Sequence, residues 1–228
     1  MTIKFYYNAG PNPMKVALFL EEAGLDYEAV PIDGRAGDQH TDAYKAINPN
    51  AKAPSLTDGD AVIFDSNAIL LYLAEKTGKF LPASGDVARG ELLSWLMFIA
   101  TGIGPYSGQS VHFQRHAPEQ LAYAINRYRF EAKRDYGILD ARLATRPYIL
   151  GDAYSIVDMA AWGWARLMPV VLDEEAWGDL PNLKRLVDEI TARPAAERAV
   201  ALAQQGAFRT EMDDEARRHM FPSNLVKA

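Results

Sequence analysis

The sequence predicts an α+β protein in which a small mixed sheet, with helices packed on it, is followed by an all-helical region. The first eighty residues alternate strand and helix patterns, whereas the pattern from Val87 onward is almost wholly helical. The chain has 228 residues, of which 49% are apolar, so that one large domain or two small domains can bury a core.

The first half reads as alternating elements separated by turn residues. Gly24 and Gly78 end helical patterns, and Asp58-Gly59 between two short apolar runs predicts a hairpin. In chain order we predict strand Ile3–Tyr7, a helix from Asn12-Pro13 to Gly24, strand Tyr27–Ile32, a loop over Gly34–Asp42, a short helix Ala43–Ile47, strands Pro54–Leu56 and Val62–Phe64, and helix Ser66–Lys76.

The second half is predicted to be a helical bundle. Its helices are Val87–Thr101, Pro118–Leu143, Ser155–Leu172, Pro181–Arg193 and Ala195–Gln204, with a break at Gly102, Gly104 and Pro105. We therefore predict a first domain over residues 1–80, a helical domain over 87–205, a boundary at about 79–87, and a polar tail over 206–228 that is mobile or docked.

Charge and hydropathy exclude several classes of protein. There are 24 Lys and Arg against 30 Asp and Glu, a net charge of −6 without a basic cluster, which argues against nucleic acid as a partner. The longest apolar run, Met159–Leu172, contains Arg166 and Pro169 and is too short to span a bilayer, so no membrane partner is expected. Because the N-terminus lacks the apolar stretch of a signal peptide, we expect a cytoplasmic protein.

The sequence contains no cysteine. Disulfides, thiolate metal sites and a protein thiol nucleophile are therefore excluded, and any sulfur chemistry must use a thiol carried by a ligand. His112 and His116 are four residues apart and can share a helix face, but no third ligand lies near them in the sequence. We predict no metal site.

Asn12-Pro13 is typical of a helix start, with Asn as the N-cap and Pro in the first turn. The same position suits chemistry, because the asparagine amide can reach a ligand atom and a helix N-terminus stabilises a thiolate. Tyr6 and Tyr7 at the end of the first strand are rival donors, although strand alternation turns one of them into the core.

Two further segments combine a structural role with a possible binding role. Pro54 opens a strand, where it needs no donor; if the Ala53-Pro54 bond is cis, the turn would expose the Ala53 backbone to an extended ligand. Asp65-Ser66 lies where a strand passes into a helix, which favours both a helix cap and binding of a ligand carboxylate by free N–H groups. Ser155 and Asp158 form a capping-box pattern, to which we assign folding and no chemistry.

Together these segments resemble the glutathione S-transferases. The residues that carry the resemblance are Asn-Pro-Asn-Ala-Lys-Ala-Pro at 48–54, Asp-Ser-Asn-Ala-Ile at 65–69 and the Ser155–Asp158 box, and it covers the chain to about residue 205. A narrower resemblance to the Nu class, which includes bacterial glutathione-dependent disulfide-bond reductases, rests on Gly10-Pro11-Asn12, Gln39, Gly104-Pro105, Gly108-Gln109, Tyr123-Ala124-Ile125, Arg127-Tyr128 and Arg134.

The resemblance implies a thioredoxin-like N-terminal domain, an all-α C-terminal domain, a homodimer, and glutathione or glutathione disulfide as the bound partner, without a metal. By the same resemblance, Asn12 would stand beside the sulfur and Ala53, before a cis Pro54, would pair with the cysteinyl backbone. Asp65 and Ser66 would hold the γ-glutamyl end, Gln39 and Lys52 would lie near the glycine carboxylate, and Gln109 and Arg134 would complete the site, within one subunit or across the dimer.

The sequence departs from the branch at two positions. Gly10 stands where close relatives often carry threonine, so one hydroxyl near the sulfur is missing, and Asp65 replaces a commoner glutamate. Three functions stay open: reduction of small disulfides by the glutathione thiolate, conjugation to or ether cleavage of a hydrophobic electrophile, and a binding or regulatory module with little turnover. The intact Asn12, Gln39, Asp65 and Ser66 favour an enzyme, and the reductase is our first expectation.

Overall fold

The computed structural model describes residues 2–82 and 85–225. It divides into two compact units, one formed by the chain up to Leu73 together with the segment from Pro194 onward, and one formed by Ala74–Arg193. The predicted fold class, a small α/β unit and an all-helical unit, is confirmed. Parts of the predicted boundary and of the predicted tail, residues 83–84 and 226–228, lie outside the described residues.

The first unit contains a four-stranded mixed sheet. Its strands are β1 (Ile3–Tyr7), β2 (Tyr27–Pro31), β3 (Ser55–Asp58) and β4 (Ala61–Phe64), in the order β2-β1-β3-β4. β1 pairs with β2 in parallel and with β3 antiparallel, and β3 and β4 form the hairpin predicted at Asp58-Gly59, where Gly59 takes a left-handed φ of 61°. The helices beside the strands are α1 (Pro11–Ala23), α2 (Asp42–Ile47) and α3 (Ser66–Thr77).

The core of this unit follows the apolar pattern of its elements. Phe5 and Leu56 are fully buried on adjacent strands, where they face each other in the register of β1 and β3. Helix α1 contributes an almost continuous buried run, which explains why its pattern is apolar on nearly every side. Its buried residues are Pro13, Met14, Lys15, Val16, Ala17, Leu18, Phe19, Leu20 and Ala23.

The regular elements of the second unit are helices, with one isolated β-bridge between Tyr148 and Gly151 in its described part. Its helices are α4 (Asp86–Phe98), α5 (Gly104–Arg115), α6 (Ala122–Leu143), α7 (Ile156–Ala165), α8 (Met168–Val171) and α9 (Pro181–Thr191). The buried helix α7 starts at the predicted capping box: Ser155 accepts from the Val157 N–H, and Asp158 accepts from the Ser155 N–H at 2.9 Å. Burial raises the pKa of Asp158 to about 6, although its backbone hydrogen bonds oppose the rise.

The predicted break at Gly102, Gly104 and Pro105 is wrong. The chain continues from α4 into α5 through a π-helical turn over Ile99–Ile103, in which the Gly104 N–H bonds to the Ile99 carbonyl five residues back. Pro105 then lies in the first turn of α5. The predicted single helix Ser155–Leu172 is instead divided into α7 and α8.

The C-terminal segment groups with the sheet and not with the bundle. We predicted residues 195–204 within a helical domain over 87–205, but helix α10 (Pro194–Gln205) belongs to the first unit, where Arg198 donates to Glu21 at 2.6 Å. The Tyr7 hydroxyl donates to the carbonyl of Leu202 on the same helix. The following segment contains helix α11 (Asp214–Met220), capped by the Asp213 carboxylate, so the described part of the tail is docked.

Candidate active site

The sheet register brings the predicted site segments of the first unit to one edge. The end of β1 pairs with the start of β3 at Tyr6–Ser55, and Ser55 pairs with Phe64 at the end of β4. The start of α1, the Ala53-Pro54 turn and the start of α3 therefore lie at this edge of the sheet. The loop that contains Gln39 begins at the same edge, because the end of β2, Pro31, pairs with Tyr7.

Helix α1 begins two residues earlier than predicted, at Pro11 and not at Pro13. Its N-cap is Gly10, whose own N–H donates to the Asn8 side chain at 2.9 Å, so Asn12 is not the N-cap but the second residue of the helix. Pro11 and Pro13 on either side carry no N–H, so Asn12 supplies the only main-chain donor among the first three helical positions. The positive end of the helix dipole and the Asn12 amide thus coincide at the site edge.

The pair of tyrosines before this helix divides as strand alternation predicts. Tyr7 is buried in the core, its hydroxyl is engaged by the Leu202 carbonyl, and burial raises its pKa. Tyr6 is half-buried. Tyr7 is therefore a core residue and not a donor for a ligand.

Asp65 performs the capping role that its position predicts. It has a left-handed φ of 70°, and its Oδ1 accepts hydrogen bonds from the Asn67 N–H at 2.8 Å and the Ala68 N–H at 3.2 Å. The carboxylate is exposed, whereas Ser66 beside it is buried. Within the described residues, the N–H and hydroxyl of Ser66 have no partner, which leaves them available at the helix start.

A buried lysine next to this edge was missed by the sequence analysis. The ammonium of Lys15 donates to Asn67 Oδ1 at 2.9 Å and so joins the N-terminal parts of α1 and α3. Burial lowers the pKa of Lys15 to about 8, and the nearby charge of Asp65 opposes this shift. The available signal was a lysine inside the apolar run from Met14 to Leu20, where a charged residue needs an explanation.

The predicted cis bond is present between Ala53 and Pro54. The turn is held from below, because the Lys52 carbonyl accepts from the Asn48 amide at 2.6 Å and from the Tyr44 hydroxyl at 3.0 Å. The Lys52 side chain is exposed, with no partner in the described part of the chain. It is therefore an exposed cation at the site edge.

Gln39 is engaged by the C-terminal segment. Its amide nitrogen donates to the carbonyls of Gly34 at 3.0 Å and His219 at 3.3 Å, and its Oε1 is buried without a partner among the described residues. His40 binds the same His219 carbonyl at 2.9 Å. Gly37, with a left-handed φ of 90°, lies so close to the His219 ring that a Cβ there would come within 2.8 Å of it. Helix α11 thus covers the loop that holds Gln39.

The two remaining predicted residues lie in the helical unit. Gln109 is exposed on α5, and Arg134 is exposed on α6, where it donates to Glu131 at 2.9 Å and approaches Asp135 at 2.7 Å. The hydrogen bond from Arg134 lowers the pKa of Glu131. Asp135 and Glu131 were not singled out by sequence reasoning, since charged residues on a long helix usually face solvent.

Residues 2–82 and 85–225 contain no group of three or more His, Asp or Glu side chains placed to hold a metal ion. In the same ranges, no helix combines the length and apolar character needed to cross a bilayer.

Comparison with known proteins identifies the family. The family model of the glutathione S-transferase N-terminal domain matches residues 1–75, and that of the glutathione S-transferase C-terminal domain matches residues 97–194. The chain belongs to the glutathione S-transferase family. The end of the second match at residue 194 coincides with the point where the chain returns to the first unit.

Its relatives include two proteins of Escherichia coli. The chain is 39% identical to the disulfide-bond oxidoreductase YfcG over 216 residues, which cover 92% of this chain and 99% of YfcG. It is 38% identical to the disulfide-bond oxidoreductase YghU over 213 residues, which cover 86% of this chain and 73% of YghU.

Similar solved structures contain glutathione. A glutathione transferase from Burkholderia graminis with two glutathione molecules bound per subunit is 36% identical, with a TM-score of 0.83 and 90% of each chain covered. A glutathione transferase from Pseudomonas putida with one glutathione disulfide bound per subunit is 32% identical, with a TM-score of 0.80, and the match covers 87% of this chain and 90% of that one.

Proposed function

We propose that this glutathione S-transferase uses the thiolate of glutathione to reduce small disulfides. The observation that carries the proposal is the edge of the sheet at which the start of α1, with Asn12, meets the Ala53-Pro54 turn and the Asp65-capped start of α3. The relatives named as disulfide-bond oxidoreductases support the reaction. The glutathione and glutathione disulfide in similar structures support the ligands.

The reaction needs two glutathione molecules because the chain has no cysteine. The thiolate of the first attacks one sulfur of the substrate disulfide, forms a mixed disulfide and releases the other substrate sulfur as a thiolate, which takes a proton. The thiolate of the second attacks the glutathione sulfur of the mixed disulfide. Glutathione disulfide forms and the second substrate thiol leaves, so that two thiols are oxidised and one disulfide is reduced.

The role proposed for Asn12 is to stabilise the attacking thiolate. A free thiol has a pKa of about 8.5, and a helix N-terminus with a nearby N–H donor lowers it, which raises the thiolate fraction at neutral pH. The Asn12 side-chain amide supplies a donor that the Pro11 and Pro13 backbones lack. The Asn12 amide is needed all the more because Gly10 stands where close relatives often carry threonine, so no hydroxyl from that position can donate to the sulfur.

The remaining roles follow the charges at the site edge. The exposed Asp65 carboxylate suits the ammonium of the γ-glutamyl end, and the open N–H and hydroxyl of Ser66 suit its carboxylate. The Ala53 backbone would pair with the cysteinyl residue. Of the two residues proposed for the glycine carboxylate, Lys52 is the more available, since the nitrogen of Gln39 already donates to two carbonyls.

We also propose a homodimer, in which Gln109 and Arg134 complete the site of either subunit. Helix α6 supports it with an exposed apolar stripe, because Tyr123 and Phe130 lie two turns apart and are 82% and 62% exposed. Arg127 and Arg134 continue the same face at seven-residue spacing.

The test is glutathione-dependent reduction of bis(2-hydroxyethyl) disulfide by the wild type and by Asn12→Ala. We expect kcat/KM to fall by about tenfold or more in the variant, which corresponds to about 1.4 kcal/mol of transition-state stabilisation. The pH–rate profile should move to higher pH, because the thiol pKa rises when the donor is lost.

The matched control is Asn126→Ala, an exposed asparagine on α6. Its kcat/KM should equal that of the wild type. An Asn12→Ala variant with unchanged rate and unchanged pH profile would remove Asn12 from the mechanism. A wild type that binds glutathione but reduces no disulfide would contradict the proposed reaction.

A further inference from the structure

Helix α6 contains a buried carboxylate with incomplete partners. The Asp135 side chain is 0% exposed, and in the described part of the chain neither of its oxygens accepts a hydrogen bond. Its oppositely charged neighbour is Arg134, whose Nη2 lies 2.7 Å from Oδ1 as an ion pair that is not aligned as a hydrogen bond, while Glu131 adds a like charge. A buried carboxylate with no hydrogen bonds is costly, so its presence calls for a compensating use.

The space for this carboxylate comes from a glycine in the π-helical turn. A Cβ on Gly102 would come within 2.4 Å of Asp135 Oδ2, so the carboxylate lies directly against the bare Cα of that residue. The turn over Ile99–Ile103 departs from regular α-helix at this place, and such turns inside helices frequently accompany functional sites.

Two carboxylates hold the guanidinium of Arg134 from different sides. Its Nε donates to Glu131 Oε2 at 2.9 Å, and its Nη2 pairs with Asp135. A planar guanidinium held at two of its nitrogens cannot rotate about its last bonds. The side chain is 47% exposed, and its other N–H groups have no partner in the described part of the chain. Arg127 binds the second oxygen of Glu131 at 2.7 Å and balances the charge of the cluster.

We propose that Asp135, in the space left by Gly102, is a positioning residue that orients Arg134 to bind a carboxylate of glutathione. The inference rests on the proposed function, in which Arg134 completes the glutathione site. Asp135 itself touches no ligand; its contribution is to keep the remaining donors of Arg134 in one orientation before the ligand arrives. Burial raises the pKa of Asp135, Arg134 opposes the rise, and the like charge of Glu131 adds to it.

The test is a double-mutant cycle on the full-length protein, with the Kd for glutathione measured by calorimetry. The proteins are the wild type, Asp135→Asn, Arg134→Ala and the double variant. We expect Asp135→Asn to raise the Kd by about fivefold and Arg134→Ala by about tenfold or more. The double variant should match Arg134→Ala alone, because Asp135 acts only through the arginine.

A purely structural role for Asp135 would give a different pattern. Loss of a packing or folding residue would raise the Kd by the same factor whether or not Arg134 is present, and that additive result would overturn the proposal. An unchanged Kd in Asp135→Asn would overturn it as well. The outcomes also separate this inference from the proposed function. A wild type that binds no glutathione contradicts the proposed function. Normal glutathione binding by Arg134→Ala overturns the role of Arg134 and Asp135 and leaves the proposed function intact.

A pair of glycine substitutions tests the space itself. Gly102→Ala places a methyl group against the carboxylate and should raise the Kd as Asp135→Asn does. Gly137→Ala, on α6, is the matched control, because a Cβ there meets nothing within 4 Å. It should leave the Kd unchanged. If Gly102→Ala does not fold, the cycle on Asp135 and Arg134 decides the proposal alone.

Discussion

Lys15 is the most unusual titratable residue of the first unit. Its ammonium is fully buried in the apolar core of α1, with Asn67 as its hydrogen-bond partner. The charged form is disfavoured by burial, and the negative Asp65 near the helix starts recovers part of that cost. Because Asp65 is also proposed to bind an ammonium of the ligand, the charge of Lys15 and the electrostatics of the site are linked.

This burial predicts a pH dependence of stability. The pKa of Lys15 is about 8 in the folded protein against 10.5 for an unperturbed lysine, so the unfolded chain binds more protons between these values. The free energy of unfolding of the wild type, measured against Lys15→Met by urea denaturation, should therefore rise between pH 8 and pH 10.5, by up to about 3 kcal/mol. Replacement of the exposed Lys45 by Met should produce no such difference, and parallel curves for wild type and Lys15→Met would show that the lysine titrates normally.

The starts of helices α1 and α3 differ in how well the sequence predicts them. Asp65 was predicted as a cap and is one, because a strand end followed by Asp-Ser leaves few alternatives. At α1, Gly10-Pro11 and Asn12-Pro13 both satisfy the rule of a cap followed by proline, and local chemistry cannot choose between them. The structure selects Gly10, which places Asn12 inside the first turn.

Docking of helix α11 depends on the contacts of the segment that precedes it. The segment before it is attached to the loop of Gln39 by two hydrogen bonds at Arg209: its N–H donates to Asp33 at 2.7 Å, and its carbonyl accepts from Arg35 at 2.6 Å. Arg35→Ala removes a charged hydrogen bond, which is worth about 1.5–3 kcal/mol. Tryptic cleavage at Arg217 and Arg218 should therefore accelerate by about tenfold or more, as followed by mass spectrometry.

The control for this experiment is Arg115→Ala, an exposed arginine at the end of α5. Its cleavage rate at the same bonds should equal that of the wild type. If Arg35→Ala also leaves the rate unchanged, the contact between Arg35 and the tail contributes nothing to docking.

Across the whole molecule, the features predicted correctly are those that show in the periodicity of apolar residues and in short local motifs. The alternation of strands and helices, the Asp58-Gly59 hairpin and the capping box at Ser155 were predicted and are present. The π-helical turn was not, because glycines and a proline normally signal a break, and only packing against neighbours shows that the helix continues. The return of the chain to the first unit after Arg193 was missed for a related reason: an amphipathic helix shows which face is buried, but not against which partner.

The proposed homodimer is the property of the whole molecule that a single substitution can test. Phe130→Glu places a charge in the exposed apolar stripe of α6 and should convert a species of twice the chain mass into one of single mass in sedimentation velocity. Val87→Glu is the matched control, since Val87 is an apolar residue outside that stripe and is even more exposed than Phe130. If the Phe130→Glu protein still sediments as a dimer, the interface does not include this stripe.

A monomeric Phe130→Glu protein also shows where Arg134 acts. If this monomer binds glutathione as tightly as the wild type, and loses affinity when Arg134→Ala is added, the arginine serves its own subunit. If the monomer already binds as weakly as Arg134→Ala, the arginine comes from the other subunit.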